Sequence, residues 1–212
     1  MVVKEKSIFI NCPYDKSYQK MLRRMVFILT IMGFDVCLAS DNANQMKLRL
    51  ETIVELVKDC KYSIHDISYM RAKKRKEYSR MNMPFELGID YGYMSFCQNE
   101  KRILILEACR YDSHKALSDI SGMDISCHSN KEYTLTCCIR DWVSALFNVQ
   151  IPSSNAFWNL YFDFTSFVHE LAKSPEIDEN SIMNNINECK HYSKIFLSSL
   201  PYGKKELYSA FK

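Results

Sequence analysis

The sequence predicts an α/β protein: a five-stranded parallel sheet in the order 2-1-3-4-5, followed by a helical C-terminal extension. Three observations predict it. Short apolar runs rich in β-branched residues alternate with segments of helical period through residue 149. The repeated order strand, loop, helix, strand implies parallel neighbours joined by right-handed crossovers. Beyond a seam at residues 152–155 the strand-like runs stop and only helical periods remain, so the expected domains are an α/β domain at 1–150 and a helical extension at 151–212.

The first run, SIFIN at residues 7–11, reads as a strand buried on both faces. Cys12, Pro13, Tyr14 and Asp15 break it at the carboxyl edge of the sheet, where open α/β sheets carry ligands. Asp15 is placed to cap a helix with the stripe Met21, Leu22, Met25, Val26, Leu29 and Met32. Gly33 ends that helix, and FDVCLA at 34–39 is the second strand. A polar connection at 40–45 leads to a helix over 46–59 that carries Leu50, Ile53, Val54 and Val57 inward. CKYSIHDI at 60–67 is the third strand. Asp66 at its carboxyl end is suited to accept the hydroxyl groups of a sugar or to cap the next loop; His65 beside it reads more simply as packing.

The stretch RMNMPFELGIDYGY, residues 80–93, is the one most loaded with chemistry. With Asn82 or Met83 as N-cap and Pro84 in the first turn, Glu86 follows where unpaired amides and the helix dipole keep a carboxylate ionised. Gly88 permits close approach of a ligand or another backbone, and Asp90 and Tyr93 lie on the following turns. The competing reading is a capped core helix in which Glu86 serves only the dipole. Before this stretch come Arg71, Lys73, Lys74, Arg75 and Lys76, which read as a solvated loop or, functionally, with Arg80 as a phosphate clamp. RILILE at 102–107 is the fourth strand, a short helix is expected over 111–120, and GMDIS at 122–126 is a short fifth strand. A helix over 132–149 presents Leu135, Cys138, Ile139, Trp142 and Leu146. In the extension, helices over 156–173 and 180–200 carry Phe157, Leu160, Tyr161, Phe164, Val168 and Leu171, then Ile182, Ile186, Cys189 and Phe196.

Composition narrows the function classes. The chain has 212 residues and 47% hydrophobic content, enough for a substantial core. It holds no apolar run of about 18 residues, and MVVKEKSIFIN lacks the apolar core of a signal peptide, so a cytoplasmic protein without a membrane partner is expected. Nine cysteines, odd in number and set in apolar contexts, fit thiols in a reducing compartment. Neither CxxC nor HExxH spacing occurs, so no metal is placed. The absence of GxGxxG and GxxxxGK[ST] argues against a dinucleotide oxidoreductase domain and a P-loop NTPase, and no cofactor is expected. A net charge of +3, with one basic cluster outside any helix-turn-helix, zinc-finger or RRM pattern, argues against a nucleic-acid partner.

Four segments together carry a resemblance: SIFINCPYD at 7–15, CKYSIHDIS at 60–68, NMPFELG at 82–88 and SDISGMDIS at 118–126. Over about residues 5–149 the chain resembles bacterial TIR-like proteins, of the flavodoxin-like fold group that includes TIR domains and nucleoside 2-deoxyribosyltransferases. The resemblance implies that Glu86 is the catalytic carboxylate, acting at the nicotinamide ribosyl bond of NAD as in TIR domains or at an anomeric carbon as in the transferases. It implies a sugar-binding role for Asp66 and a contact from Tyr14, with Cys12, Pro13, Arg80 and Asn82 completing a substrate site. It further implies NAD as substrate, a homo-oligomer or a defence-system partner protein, and a setting in anti-phage defence. Three functions follow as expectations: an NAD-cleaving or ADP-ribosyl-transferring enzyme, a deoxyribosyltransferase or nucleotide N-glycosidase, and a module that senses a nucleotide or partner without turnover.

Overall fold

The computed structural model describes residues 4–41, 48–70, 81–98 and 100–211. Along the chain run β1 (Lys4–Asn11), α1 (Gln19–Ile31), β2 (Asp35–Leu38), α2 (Arg49–Asp59), β3 (Cys60–Asp66), α3 (Asn82–Phe96), β4 (Arg102–Glu107) and β5 (Ile125–Cys127). There follow α4 (Glu132–Phe147), α5 (Ser154–Leu171), α6 (Glu179–Asn184), α7 (Ile186–Ser199) and α8 (Tyr202–Tyr208). Two compact units form: Met1–Tyr14 with Asp35–Asn130, and Asp15–Phe34 with Lys131–Lys212. Thus α1 and α4, assigned from sequence to residues 1–150, group by contact with the C-terminal helices.

The first unit holds the five strands, ordered β2-β1-β3-β4-β5, with every neighbouring pair parallel. This is the flavodoxin-like order that the alternation of the sequence predicts, accompanied by a C-terminal helical region. In β1, Ser7 through Asn11 are all buried, as a strand packed on both faces requires. Phe9 meets Ile53 and Val57 of α2, while Ile67, Met83, Leu87 and Ile105 form a second cluster between α3 and the sheet. Strand order reverses direction about β1 and β3, whose registers bring Asn11 opposite His65. The carboxyl ends of these strands are therefore the place to look for a ligand site.

Several boundaries differ from the sequence reading. α2 is described from Arg49, with Leu50 exposed and Val54 half-buried, so its inward face is narrower than expected: Thr52, Ile53 and Val57. Residues 42–47, part of the expected polar connection and helix start, lie outside the described residues. The segment expected to be one short helix contains two 3-10 turns, Ser113–Lys115 and Ser118–Ile120. The carboxylate of Glu107 accepts from the Tyr111 amide at 2.6 Å, the Ser113 amide at 3.1 Å and the Ser113 hydroxyl at 2.8 Å. Those bonds supply locally what a helix would have supplied from its own carbonyls.

In the second unit α1 is buried almost all round, from Met21 and Leu22 through Arg24–Ile31, and packs on α4, α5 and α7. A helix apolar on every side belongs at the centre of its layer. Tyr18, not Asp15, is the N-cap residue of α1; Asp15 contributes its carbonyl to the Tyr18 amide. At the other end the Phe34 amide bonds Leu29 O and the Gly33 amide bonds Thr30 O, the paired arrangement that ends a helix on a left-handed residue, here Gly33 at φ 92°. The helix expected over 180–200 is interrupted at Asn185, whose side chain accepts from the Asn187 and Glu188 amides and so starts α7 anew. Phe27, Tyr161, Phe164 and Phe196 pack as one aromatic group, and Arg24 lies 3.5 Å from the Tyr161 ring centroid and 3.1 Å from Glu132. Among the described residues no helix is long and apolar enough to cross a membrane.

Candidate functional site

The buried residues of α3 are Met83, Glu86, Leu87 and Asp90. They recur at helical spacing, so a glutamate and an aspartate occupy the stripe that an ordinary amphipathic helix fills with apolar side chains. The helix begins one residue before the first of the two expected N-caps, Asn82 and Met83: Met81 is its N-cap residue and Pro84 is its third residue, where the missing amide would have been unpaired in any case. Glu86 consequently lies in the second turn, and the first-turn dipole argument for it does not hold. Its environment is set by burial instead. It is 4% exposed, burial pushes its carboxyl above the usual carboxylate range, and the Arg49 guanidinium opposes that rise from 3.9 Å. Gly88 is exposed, and a Cβ there would meet nothing within 4 Å, so no close backbone approach explains it.

Two buried bonds hold α3 to the sheet on either side of Glu86. Asn11 Nδ2 donates to the Met83 carbonyl at 3.0 Å and to His65 Nδ1 at 2.9 Å. With its Nδ1 accepting, His65 carries its proton on Nε2 and donates it to Asp90 Oδ2 at 2.8 Å. Lys101 Nζ lies 3.0 Å from Asp90 Oδ1 and donates to the Val57 carbonyl at 2.6 Å. Burial alone would raise the Asp90 carboxyl; His65 and Lys101 outweigh it and hold the group below the usual range. His65 is thus a fully buried connector between β1, β3 and α3.

Asp66 is likewise fully buried. Its Oδ1 accepts from the Ser68 amide at 2.9 Å, the loop-capping role, and its Oδ2 lies 2.9 Å from His128 Nε2. His128 Nδ1 accepts from the Asn130 amide at 3.1 Å, which places the proton on Nε2, toward Asp66 and the Ser68 hydroxyl at 3.2 Å. Both oxygens of Asp66 therefore face protein partners.

The loop after β1 joins these groups. Cys12 and Pro13 are buried and Tyr14 is half-buried. Burial pushes the Cys12 thiol well up; the charges of Asp66 and Glu86 push it further, and Arg49 opposes them. Cys12 therefore lies within electrostatic reach of both carboxylates. Burial also raises the Tyr14 phenol, and the Arg49 guanidinium lies 5.7 Å from the centroid of its ring. Asn82 is exposed on the first turn of α3 and is not its N-cap, and Arg80 with the 71–76 cluster lies outside the described residues.

Arg49, Asp90 and His128 complete the constellation. Asp90 was visible in the sequence as a polar group one turn beyond Glu86. His128 gave no signal beyond its place after a strand. Arg49 left one: a cation in the first turn of a helix stands at the wrong end of the dipole, a local inconsistency of the kind functional sites retain. A cavity of about 320 Å³ bounded by Leu87, Tyr91, Lys101, Ile103 and Met123 surrounds the first residues of β4; Lys101 links it to Asp90, while Arg49, Glu86 and His128 are not among its lining residues. None of the nine cysteines forms a disulfide. Among the described residues no group of three or more His, Cys, Asp and Glu is placed to hold a metal ion.

The arrangement provides a buried carboxylate, a neighbouring guanidinium and an aromatic ring at the ligand-bearing edge of a parallel sheet. No protein-family model matches the chain, and no curated protein is significantly similar to it in sequence. The fold defines the class: a flavodoxin-like α/β sheet with C-terminal helices, the general architecture seen in TIR-like and deoxyribosyltransferase-like proteins.

Proposed function

We propose that the protein cleaves or transfers at the N-glycosidic bond of a nucleotide, with NAD as the first candidate substrate and Glu86 as the catalytic carboxylate. The observation that carries the reading is Glu86 itself, an acidic side chain on the buried stripe of α3 whose one ion pair among the described residues is a loose one to Arg49. Opening a ribosyl bond leaves positive charge on the sugar, and a carboxylate in a sheltered site stabilises that charge or captures it. Cys12, Pro13 and Tyr14 line the same edge, and NAD enters as substrate, without a redox role. The setting implied by the TIR-like resemblance is anti-phage defence in the cytoplasm, with a homo-oligomer or a partner protein as activator.

A second reading, a nucleotide sensor without turnover, is favoured by Asp66, whose two oxygens bond Ser68 and His128 and leave the expected sugar contact to other groups. The same feature weighs against a deoxyribosyltransferase, where that aspartate would hold the sugar. The test is to incubate the protein with NAD and, separately, with deoxynucleosides, and to resolve the products by chromatography. Release of nicotinamide that is lost in Glu86→Gln supports the enzyme; nucleotide binding without product supports the sensor.

A further inference from the structure

We infer that Arg49, backed by Tyr14, is the phosphate subsite of this site, so that the ligand is a phosphorylated nucleoside and the free nucleoside is discriminated against. The inference rests on the site of the proposed function and adds to it the residue by which a nucleotide is selected over its nucleoside.

The Arg49 side chain is 56% exposed, while that of its partner Glu86 is 5% exposed, so one end of the pair opens to solvent and the other is enclosed. Their 3.9 Å separation is too long for a hydrogen bond. The guanidinium has five N–H donors in a planar fork, and among the described residues none makes a hydrogen bond. A phosphate matches that fork with two parallel bonds. The Tyr14 ring, 5.7 Å from the guanidinium carbon, and the Glu86 carboxylate fix the cation from two sides without occupying its donors. Arg49 is also the first residue of α2, where the Glu51 carboxylate accepts from the Leu48 amide at 3.3 Å and answers the helix dipole, so the Arg49 guanidinium itself is the group that an anion would meet.

Competition follows from this geometry. Glu86 and an incoming phosphate share one cation, so the two anions compete for Arg49, and removing the charge of Glu86 strengthens the hold of Arg49 on the phosphate.

The experiment is calorimetric titration of the intact chain with paired ligands: nicotinamide riboside and its mononucleotide, adenosine and AMP, guanosine and GMP, and, separately, inorganic phosphate. In the wild type at least one nucleotide should bind about 10- to 100-fold more tightly than its nucleoside, the range of two charge-assisted hydrogen bonds. Arg49→Gln should reduce that preference to within about threefold, Arg49→Lys should restore part of it, and Glu86→Gln, by removing the competing anion, should increase it. Thermal melting of each variant checks that the fold is kept. The inference is overturned if Arg49→Gln keeps the preference, if nucleoside and nucleotide bind alike, if none of the ligands binds, or if inorganic phosphate alone binds as tightly as any nucleotide. Nucleotide selection through Arg49 without cleavage would leave this inference standing and remove the catalytic one; cleavage with no dependence on Arg49 would do the reverse.

Discussion

The carboxyl edge of the sheet and the core of the helical unit are both tightly packed, yet opposite kinds of interaction hold them. Along the edge, Asn11, His65, Asp66, Ser68, Glu107 and His128 are buried polar residues on strands or the loops just after them. They are joined to protein partners by hydrogen bonds. In the helical unit, Phe27, Tyr161, Phe164 and Phe196 stack on one another, and Arg24 is a buried charge paired with Glu132. Apolar contacts tolerate small shifts, because dispersion and burial depend weakly on angle. Buried hydrogen bonds do not, since an unmatched partner retains its full desolvation cost. The edge is therefore the region of the molecule with fixed geometry, and it is there that α3 presents Glu86.

This contrast predicts unequal responses to substitutions of similar size. The largest effect belongs to Asp90→Asn, which changes little volume but leaves Lys101 and His65 buried beside a neutral group. It should cost about 3–5 kcal/mol in urea unfolding at neutral pH. The effect is linked to pH with a definite sign. The folded state holds the Asp90 carboxyl below the usual range, so it binds that proton less readily than the unfolded chain does. The stability due to Asp90 is present above its unfolded value of about 3.9 and is lost as pH falls from there through the folded value. The gap between wild type and Asp90→Asn should accordingly narrow as urea curves are taken down toward about pH 3.

Gly33→Ala should cost less, about 1–2 kcal/mol by thermal melting, because φ 92° strains any residue with a Cβ. The Phe211 ring, 3.3 Å from where that Cβ would stand, must also give slightly. Phe164→Leu should have the smallest effect, about 1.5 kcal/mol or less, as neighbouring rings close over the lost edge. A loss from Phe164→Leu equal to that from Asp90→Asn would remove the distinction between the two regions.

The same contrast explains what was legible in the sequence. Strand identity and order followed from apolar runs such as SIFIN and RILILE, since burial on both faces writes itself into adjacent residues. Most of the α5 stripe was equally plain: Phe157, Leu160, Tyr161, Phe164 and Val168 are buried as its period predicts. The polar edge was not legible, because its partners are remote in sequence: His65 and Asp90 are 25 positions apart, and Ser68 and His128 are 60. Asp66 had the right location for a sugar contact, yet nothing local announced that His128 would occupy it. Glu86 was found by its place after a helix start and by its ELG context, and was put one turn too early because the N-cap was expected at Asn82 or Met83 and is Met81. The interruption at Asn185 was obscured by apolar spacing that continues across it through Ile182, Cys189 and Phe196.

On the proposed reading, Glu86 is kept on a buried stripe for chemistry and not for stability. Burial raises its carboxyl, so the folded state binds this proton more readily than the unfolded chain does. The resulting cost is fully present above the folded value and is relieved as pH falls through it. Removing the charge at neutral pH should therefore not weaken the fold. The direct measurement is Glu86→Gln compared with wild type at neutral pH, taking thermal melting and single-turnover release of nicotinamide from NAD on the same preparations. The account predicts a melting temperature equal to or above that of the wild type, together with a loss of cleavage of about 100-fold or more. Cleavage at the wild-type rate, or a variant that melts far below the wild type, would contradict it.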